Sequence, residues 1–353
     1  MTAAGGEGVG AYVGAGQHYT SASRRDWVKR TWEEPTFQRH LDDALRRAFP
    51  AERARGLDVL DVGCGTGVAL DLLLGTPALT DGTFVLERAT GLDLDEGLLA
   101  IARTRFADDP RVTFVTGDLE DPPMTGPHDL VLSSGVPFSH LGQEALGRSL
   151  TRLVRSALAP HPDDAASTRS VLLVVDVLGR SSIEWTTRWD RTRWDYRMSF
   201  FTTDVDVTST PMTTWSGTDL TTTIERAAAA ATARVDDLTL IDRSIAVGRH
   251  TMTGEYTPGL PRLRDLVDAL ADGADVDPAA LRIDVTLPDA PADVLAFHAA
   301  FSGAWNATLD AAIADATPGP DLAVRLREVE AGFEGAGLGV GHSLTAFALL
   351  TTG

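Results

Sequence analysis

One short segment constrains the fold of this chain more than any other. Residues 57–62, Leu-Asp-Val-Leu-Asp-Val, predict a β-strand, and the glycine-rich turn 63–67, Gly-Cys-Gly-Thr-Gly, follows it directly. The next residues, 68–74, have the leucine-rich pattern of a helix. A glycine turn between a strand and a helix lets the backbone approach a ligand closely and directs the first N–H groups of the helix towards it. The segment therefore predicts a ligand site at the end of a strand.

Strands and helices alternate along the following hundred residues. Further strands are predicted at 89–93, 112–115, 128–132 and 170–178, further helices at 96–106 and 146–158, and an inserted loop at 75–87. The fifth strand is apolar almost throughout, which is typical of a strand covered on both faces. This order predicts a parallel sheet of right-handed βαβ units with helices on both faces.

The segments outside this α/β core have a different texture. Pro35 is expected to break an N-terminal helix into two pieces. After residue 179 the alternation stops, although an alanine-rich helix at 224–234 and a strand near 238–247 are predicted there. The predicted divisions are a mobile N-terminus (1–16), an N-terminal helical element (17–56), the α/β core (57–179), an inserted α+β cap (180–321), and a closing helix and strand (322–353).

Composition excludes several classes of protein. The chain has 50 Asp and Glu against 31 Lys and Arg, a formal net charge of −19, whereas proteins that bind nucleic acid or anionic membranes normally present a basic face. The single cysteine, Cys64, excludes an intramolecular disulfide and a multi-cysteine metal site. Neither a signal peptide nor a membrane-spanning stretch is apparent, and the histidines are scattered. We therefore expect a cytoplasmic protein without a metal, a nucleic-acid partner or a membrane partner.

The spacing of the glycines distinguishes this turn from the dinucleotide fingerprint. That fingerprint, G-x-G-x-x-G, would require a glycine at Val68, but here the glycines stand at 63, 65 and 67. Asp61 adds a carboxylate that suits a ligand with an amino group or a sulfonium better than a pyrophosphate. In this D-x-G-x-G-x-G segment the chain resembles the class I S-adenosylmethionine-dependent methyltransferases, in which the segment cradles the methionine end of the cofactor.

Three further positions carry the resemblance. Asp93 ends the second strand, where the family has the acid that binds both ribose hydroxyls, and Asp118 follows the third strand, where the family's side chain meets the adenine amino group. Ser134 follows the fourth strand, where the family's loop passes under the sulfonium and its methyl group. The cofactor-binding residues that the resemblance implies are Asp61, Gly63, Cys64, Gly65, Gly67, Asp93, Leu94, Asp118, Leu119 and Ser134.

Several of these assignments have a simpler structural alternative. The interval from Gly63 to Asp93 exceeds the usual ~20 residues to the ribose acid, so Asp95 is the second candidate, and the alternative role of Asp93 is to cap a helix. The alternative role of Asp118 is in a turn before two prolines. Cys64 is interpreted as a small residue that the loop tolerates and not as a nucleophile.

His140 is the predicted catalytic residue, because it follows the fourth strand and an imidazole can accept a proton near neutrality. A packing or capping role is the alternative for His140, and His18 and His250 are weaker candidates. Aromatic and arginine side chains, concentrated after the fifth strand, suit a flat or carboxylate-bearing acceptor, or else pack on the core as an amphipathic helix. The predicted acceptor-binding residues are Tyr19, Trp185, Trp189, Trp194 and Arg197.

The resemblance implies a Rossmann-like seven-stranded methyltransferase sheet, S-adenosylmethionine as the cofactor and S-adenosylhomocysteine as the product. We expect methyl transfer to an oxygen or nitrogen atom of a small molecule, in natural-product or secondary metabolism. Two alternatives stay open, a methyltransferase for peptides or free amino acids and a protein that binds the cofactor without transferring methyl. The acceptor and the oligomeric state are not set by the sequence.

Overall fold

A nine-stranded sheet organises the residues that the computed structural model describes, which are 25–50, 55–123, 126–160, 168–197 and 209–352. The strands are β1 (Arg55–Val62), β2 (Phe84–Asp93), β3 (Val112–Thr116), β4 (Leu130–Leu132), β5 (Ser170–Gly179), β6 (Arg193–Arg197), β7 (Ser209–Trp215), β8 (Ala233–Arg243) and β9 (Ser343–Thr352). The helices are α1 (Glu34–Ala48), α2 (Val68–Leu74), α3 (Pro77–Thr80), α4 (Glu96–Arg105), α5 (Gln143–Ala157), α6 (Gly217–Ala230), α7 (Leu263–Ala271), α8 (Ala292–Ala314) and α9 (Gly319–Ala331).

Seven of these strands form the main sheet, in the order β3-β2-β1-β4-β5-β9-β8. The first five strands are parallel, and β9 runs antiparallel to both of its neighbours. The strand order reverses between β1 and β4, and in open α/β sheets ligands bind at the carboxyl ends of the strands at such a switch point. The predicted α/β sheet is therefore confirmed, and its topology places a site where β1 and β4 end.

Helices cover the two faces of this sheet and create two separate hydrophobic clusters. Because successive strand residues point to opposite faces, β1 contributes Val59 to one cluster and Leu60 to the other. Helices α1, α2 and α4 pack in the first cluster, and α5 and α6 pack in the second. Both ends of the β1–α2 turn are thereby anchored in buried apolar side chains.

The region predicted as one insertion, 180–321, is divided by two elements of the core. Strand β8 pairs with β9 along its whole length, and α6 packs on α5 and β8. The cap therefore consists of two segments. The first follows β5 and contains a 3₁₀ turn and the antiparallel pair β6–β7, and the second lies between β8 and β9 and is helical. Because β8 is an edge strand, its first half is polar and exposed. This half therefore lacks the apolar run of a core strand, and the sequence analysis assigned it to the cap.

Two local predictions are wrong. Residues 75–87 are not a loop, since they contain α3 and the start of β2, whose exposed side chains such as Val85 hide the strand from an apolar-run criterion. Pro35 does not break the N-terminal helix, because a π-helical turn (Lys29–Glu33) leads directly into α1 with helical backbone angles at the junction. The N–H of Glu34 donates to the carbonyl oxygen of Lys29, five residues earlier, so helical hydrogen bonding continues up to Pro35, which directly follows the π-helical turn.

A third hydrophobic cluster joins the N-terminal helix to the second cap segment. It contains Trp32, the buried faces of α7 and α8, and the predicted closing helix, which is α9 and packs on α7 and α8 instead of the sheet. The fully buried Arg264 of α7 donates hydrogen bonds to Asp26 and to Glu33 at 2.7–2.9 Å. These ion pairs hold the cap against the helix that precedes β1.

The loop from 337 to 342, which precedes β9, is held by one carboxylate. The N–H groups of residues 338–341 all donate to the fully buried Asp242 of β8, at 2.7–3.2 Å. Gly339 has φ +82°, and a Cβ atom there would lie 2.3 Å from the carbonyl oxygen of Trp215. The loop therefore fits between β7 and β8 only with glycine at this position.

Replacing Gly339 by alanine is expected to lower the free energy of unfolding by ~2 kcal/mol or more, since it adds a clash with backbone to an unfavourable φ. Gly335→Ala is the control, because a Cβ atom there meets nothing within 4 Å and its φ is not in the positive range. Urea unfolding of both variants measures the difference. Equal stability of the two variants would contradict this account of the loop.

Candidate active site

The carboxyl ends of β1 and β4 bring together buried polar atoms that have no partner among the described residues. Both carboxylate oxygens of Asp61 are in this state, as are the hydroxyl oxygens of Thr66 in the glycine turn and Ser133 after β4. Burial, together with the nearby carboxylate of Asp93, raises the pKa of Asp61 to about 8. Buried polar groups are normally hydrogen-bonded, so this cluster points to a ligand that carries donors such as an ammonium group.

The glycine turn leaves room for such a ligand. Gly65 has φ +52°, and a Cβ atom at this position would meet nothing within 4 Å. Its N–H donates to Oδ2 of Asp93 at 2.8 Å, so the end of β2 holds the turn in place. The second of the three sequence-predicted glycines therefore faces open space while its backbone is fixed.

Asp93 and Asp95 have different roles in the structure. Asp95 is the N-cap of α4 and accepts a hydrogen bond from the N–H of Leu98 at 2.9 Å. Asp93 accepts from the N–H groups of Gly65 and Asp95 and lies beside Leu94, an exposed apolar side chain. The helix-capping role considered for Asp93 thus belongs to Asp95, and Asp93 stays the predicted ribose partner.

Asp118 is exposed after β3 and accepts a hydrogen bond from the N–H of Glu120 at 2.8 Å. This is the turn role that the sequence offered as an alternative. The neighbouring Leu119 is partly buried, and its carbonyl oxygen accepts from the hydroxyl of Ser149. The adenine-contacting role of Asp118 and Leu119 remains a prediction, and the turn places both at the same sheet edge as Asp93.

The loop after β4 is held in a strained conformation. Val136 has φ +61°, which is an outlier for a β-branched residue and costs roughly 1–3 kcal/mol. The N–H groups of Gly135 and Val136 donate to Oδ2 of Asp176 at 2.8 and 3.3 Å, and these bonds maintain the strain. Ser134, the predicted cofactor contact, directly precedes this pair and is half-buried.

Asp176 is a residue that the sequence analysis missed. Besides the two loop N–H groups it accepts hydrogen bonds from Arg243 of β8 at 2.9 Å and from Thr345 of β9 at 2.8 Å. Its carboxylate is fully buried, so it connects four segments of the chain without contact to water. The signal was present in the sequence, since Asp176 is the one charged residue within the apolar strand β5.

Cys64 is buried in the glycine turn, and burial together with the carboxylates of Asp61 and Asp93 raises the pKa of its thiol. A thiol that does not ionise is a poor nucleophile. The interpretation of Cys64 as a small residue that the loop tolerates stays a prediction, which the raised pKa of its thiol favours.

The histidines predicted for catalysis are poorly suited to accept a proton. Burial and the nearby Arg193 lower the pKa of His140 to about 4, and burial lowers that of His250 to about 4. His140 ends a 3₁₀ turn (Pro137–His140), and its carbonyl oxygen accepts from Arg193 at 3.1 Å. His18 lies outside the described residues. The catalytic role of His140 remains a prediction that these surroundings do not favour.

The predicted acceptor-binding tryptophans pack in the core. Trp185 and Trp189 donate from Nε1 to the carbonyl oxygens of Gly179 and Ser182, at 3.0 and 2.8 Å. Trp194 packs edge-on against Tyr256. All three tryptophans belong to the third hydrophobic cluster and are at most 7% exposed. Trp185 lies in a 3₁₀ turn, Trp189 directly follows that turn and Trp194 lies on β6, so they do not form an amphipathic helix.

The other two predicted acceptor contacts are not placed in a pocket by the structure. Arg197 is exposed and forms an ion pair with Glu255 at 3.0 Å. Tyr19 lies outside the described residues. Within the described ranges, no group of His, Cys, Asp and Glu side chains is arranged to hold a metal ion, and no helix combines the length and apolar character needed to cross a membrane.

Comparison with known proteins finds similarity in the core. Residues 59–161 match the family described as a methyltransferase domain. A malonyl-[acyl-carrier protein] O-methyltransferase of Acetivibrio thermocellus is 31% identical over 119 residues, which are 34% of this chain and 38% of that protein. A probable S-adenosylmethionine-dependent methyltransferase of Mycolicibacterium smegmatis is 34% identical over 95 residues, 27% of this chain and 32% of its own length.

The chain thus spans about a third of the length of the curated relatives that it matches. Among solved structures, the DhpI complex with S-adenosylhomocysteine is similar over 64% of this chain and 87% of that one, with 20% identity and a TM-score of 0.38. Residues 59–161 of the α/β core thus match a methyltransferase domain, and both of these curated relatives are described as methyltransferases.

Replacing Asp93 by asparagine should weaken the binding of S-adenosylhomocysteine by about ten- to a hundredfold, because a charge-assisted hydrogen bond is worth on the order of 1.5–3 kcal/mol. Asp95→Asn is the control: asparagine caps α4 about as well as aspartate does, so this variant should keep both the stability and the affinity of the wild-type protein. Calorimetric titration of both variants tests the assignment. A loss of affinity confined to Asp95→Asn would transfer the ribose role to that residue.

The affinity for S-adenosylhomocysteine should rise between pH 6 and pH 8, by up to about tenfold per pH unit. The pKa of Asp61, about 8, lies above the usual ~3.9, so the cofactor-free protein holds a proton that must leave before the carboxylate accepts from an ammonium group. Because the folded protein holds this proton more tightly than the unfolded chain does, Asp61 also lowers the free energy of unfolding of the cofactor-free protein as the pH rises from about 4 to about 8. Titrations across this range with Asp61→Asn as the control test the prediction, which a flat wild-type profile would contradict.

Proposed function

We propose that this protein transfers a methyl group from S-adenosylmethionine to an oxygen or nitrogen atom of a small molecule, as a cytoplasmic enzyme of natural-product or secondary metabolism. The observation that carries the cofactor part of the proposal is the unpartnered, buried carboxylate of Asp61 beside the open glycine turn. These residues fit the cofactor, because its amino group supplies donors where Asp61, Thr66 and Ser133 lack them.

The mechanism assigns separate tasks to the residues at the sheet edge. Asp61 binds the amino group, the turn at Gly65 approaches the methionine end, and Asp93 holds the ribose. When bound, the cofactor supplies a methyl group on a sulfonium, which is a good leaving group. The protein would contribute mainly alignment: the loop fixed by Asp176 would help to hold the methyl group and its target in place, and proximity of this kind can supply several kcal/mol of rate enhancement.

The size of the cap supports a small acceptor. The β6–β7 hairpin continues from the carboxyl end of β5, and the second cap segment follows β8 at the same edge. A cap that closes over this edge would exclude water from the reaction. The relative named as a malonyl-[acyl-carrier protein] O-methyltransferase supports oxygen as a target atom.

Incubation with methyl-labelled S-adenosylmethionine and a panel of phenols, alcohols, carboxylic acids, amines, amino acids and peptides tests the proposal. We expect label in a small organic product together with formation of S-adenosylhomocysteine. Gly65→Val is the negative control, a variant that should not bind the cofactor, because its branched side chain fills the space beside the turn. Label only in peptides or amino acids would favour the first alternative, and cofactor binding without transfer to any compound would favour the second.

A further inference from the structure

A histidine and a buried glutamate form a pair at the carboxyl edge of β5. Nδ1 of His342 lies 2.8 Å from Oε1 of Glu184, which is fully buried in the 3₁₀ turn after β5. The backbone N–H of His250 donates to Oε2 of Glu184 at 2.6 Å, and the hydroxyl of Ser182 lies 3.3 Å from Oε1. Burial alone would raise the pKa of Glu184, but His342 and the N–H of His250 hold it below its usual value, so the carboxylate is ionised.

The backbone of His342 is fixed independently of this pair. Its N–H donates to the carbonyl oxygen of Ser244 at 3.1 Å, and its carbonyl oxygen accepts from the N–H of Gly179 at 3.2 Å. The residues directly before His342, 338–341, donate their four N–H groups to Asp242. The imidazole is therefore presented from a rigid loop.

The position of His342 relates it to the loop after β4. Residue 342 comes directly before the antiparallel pair Leu178–Ser343, so it stands beside the last residue of β5. Three residues earlier on β5, Asp176 holds Gly135 and Val136, and the N–H of Leu178 donates to Ser139 of the same region at 2.8 Å. One strand end thus carries both the loop assigned to the methyl group and the His342–Glu184 pair.

The imidazole of His342 is both partly exposed and paired with a buried carboxylate. Its side chain is 15% exposed, and Glu184 engages Nδ1, which leaves Nε2 to meet a substrate. Burial lowers the pKa of His128, His140, His250 and His298 to about 4. A carboxylate behind Nδ1 selects one tautomer and stabilises the imidazolium that forms when Nε2 takes a proton.

We propose that His342 accepts the proton of the methyl acceptor through Nε2, that Glu184 is its positioning residue, and that the acceptor is a phenol or alcohol. This inference rests on the proposed function. The oxygen forms the new bond to the methyl carbon, the carbon–sulfur bond breaks towards sulfur, and the hydroxyl proton passes to Nε2 and then to solvent. A carboxylic acid is already ionised near neutral pH, and a free amine attacks through a lone pair that it already carries. A hydroxyl instead loses its proton as it attacks, so a hydroxyl acceptor gains most from a fixed base.

A measurement without any acceptor tests the required protonation state. In protein labelled with ¹⁵N-histidine and saturated with S-adenosylhomocysteine, the His342 signals are identified by their loss in His342→Gln. At pH 8 we expect a neutral ring with its proton on Nδ1, and a shift towards the Nε2–H form in Glu184→Gln. The titratable groups that face this ring in the described chain are Glu184 and His250. A protonated Nε2 in the wild-type protein at pH 8 would overturn the proposal.

The kinetic test uses the hydroxyl compounds of the acceptor panel. His342→Gln should lower kcat by about a hundredfold or more and flatten its rise with pH, while the Kd of S-adenosylhomocysteine stays unchanged. Glu184→Gln should lower kcat by less. The matched control is His40→Gln, because His40 also pairs with a buried glutamate, Glu334, at 2.9 Å, but on α1. It should lose stability without a change in kcat.

The outcomes separate the two proposals. Full turnover of a hydroxyl acceptor by His342→Gln, or turnover of amines or carboxylic acids only, would overturn the role of His342 and leave the methyltransferase proposal standing. Failure of the wild-type protein to methylate any compound would instead count against the proposed function. The protonation state of His342 would then decide by itself whether the ring can act as a base.

Discussion

The arrangement of this active site depends on one buried ion pair, between Asp176 of β5 and Arg243 of β8. The carboxylate also accepts from Thr345 of β9 and from the two N–H groups that hold the strained loop after β4, and the guanidinium lies over the ring of Phe37 in α1. Removing one partner of such a pair leaves an uncompensated buried charge, at a cost of about 3–5 kcal/mol. A single charge interaction thus joins the sheet, the N-terminal helix and the loop assigned to the methyl group.

The sheet edge carries two groups of titratable side chains, one on each side of this ion pair. Asp61 and Asp93, on β1 and β2, face the open glycine turn and carry carboxylates whose pKa values burial raises. Beyond β5, His342 and Glu184 form a site in which a base is supported by an ionised carboxylate. The unpartnered carboxyl group of Asp61 and the left-handed Val136 make this edge costly to fold, while the buried ion pairs of Arg264 join the cap to the N-terminal helix.

Local patterns in the sequence predicted much of this structure. The remaining elements depend on strand pairing and on contacts between residues that are distant in the sequence. The strand–turn–helix from 57 to 74 and the ligand site beside it follow from glycine spacing and apolar runs, and the helix bounds 68–74 agree with the prediction. The polar first half of β8 and the first half of β2 carry no such signal, because pairing with neighbouring strands stabilises them. The predicted pocket tryptophans are core residues, since composition cannot distinguish an aromatic wall from an aromatic core. The His342–Glu184 pair joins residues 158 positions apart, although the alternating glycines before His342 mark a tightly packed loop.

The most direct test of this account is the affinity of Asp176→Asn for S-adenosylhomocysteine, measured by calorimetry beside the wild-type protein. Asparagine keeps an acceptor for the loop but cannot neutralise Arg243, so the loop after β4 should lose its fixed conformation. We predict at least a tenfold loss of affinity together with a lower melting temperature. Wild-type affinity in a variant that melts at the wild-type temperature would show that the site does not depend on this carboxylate.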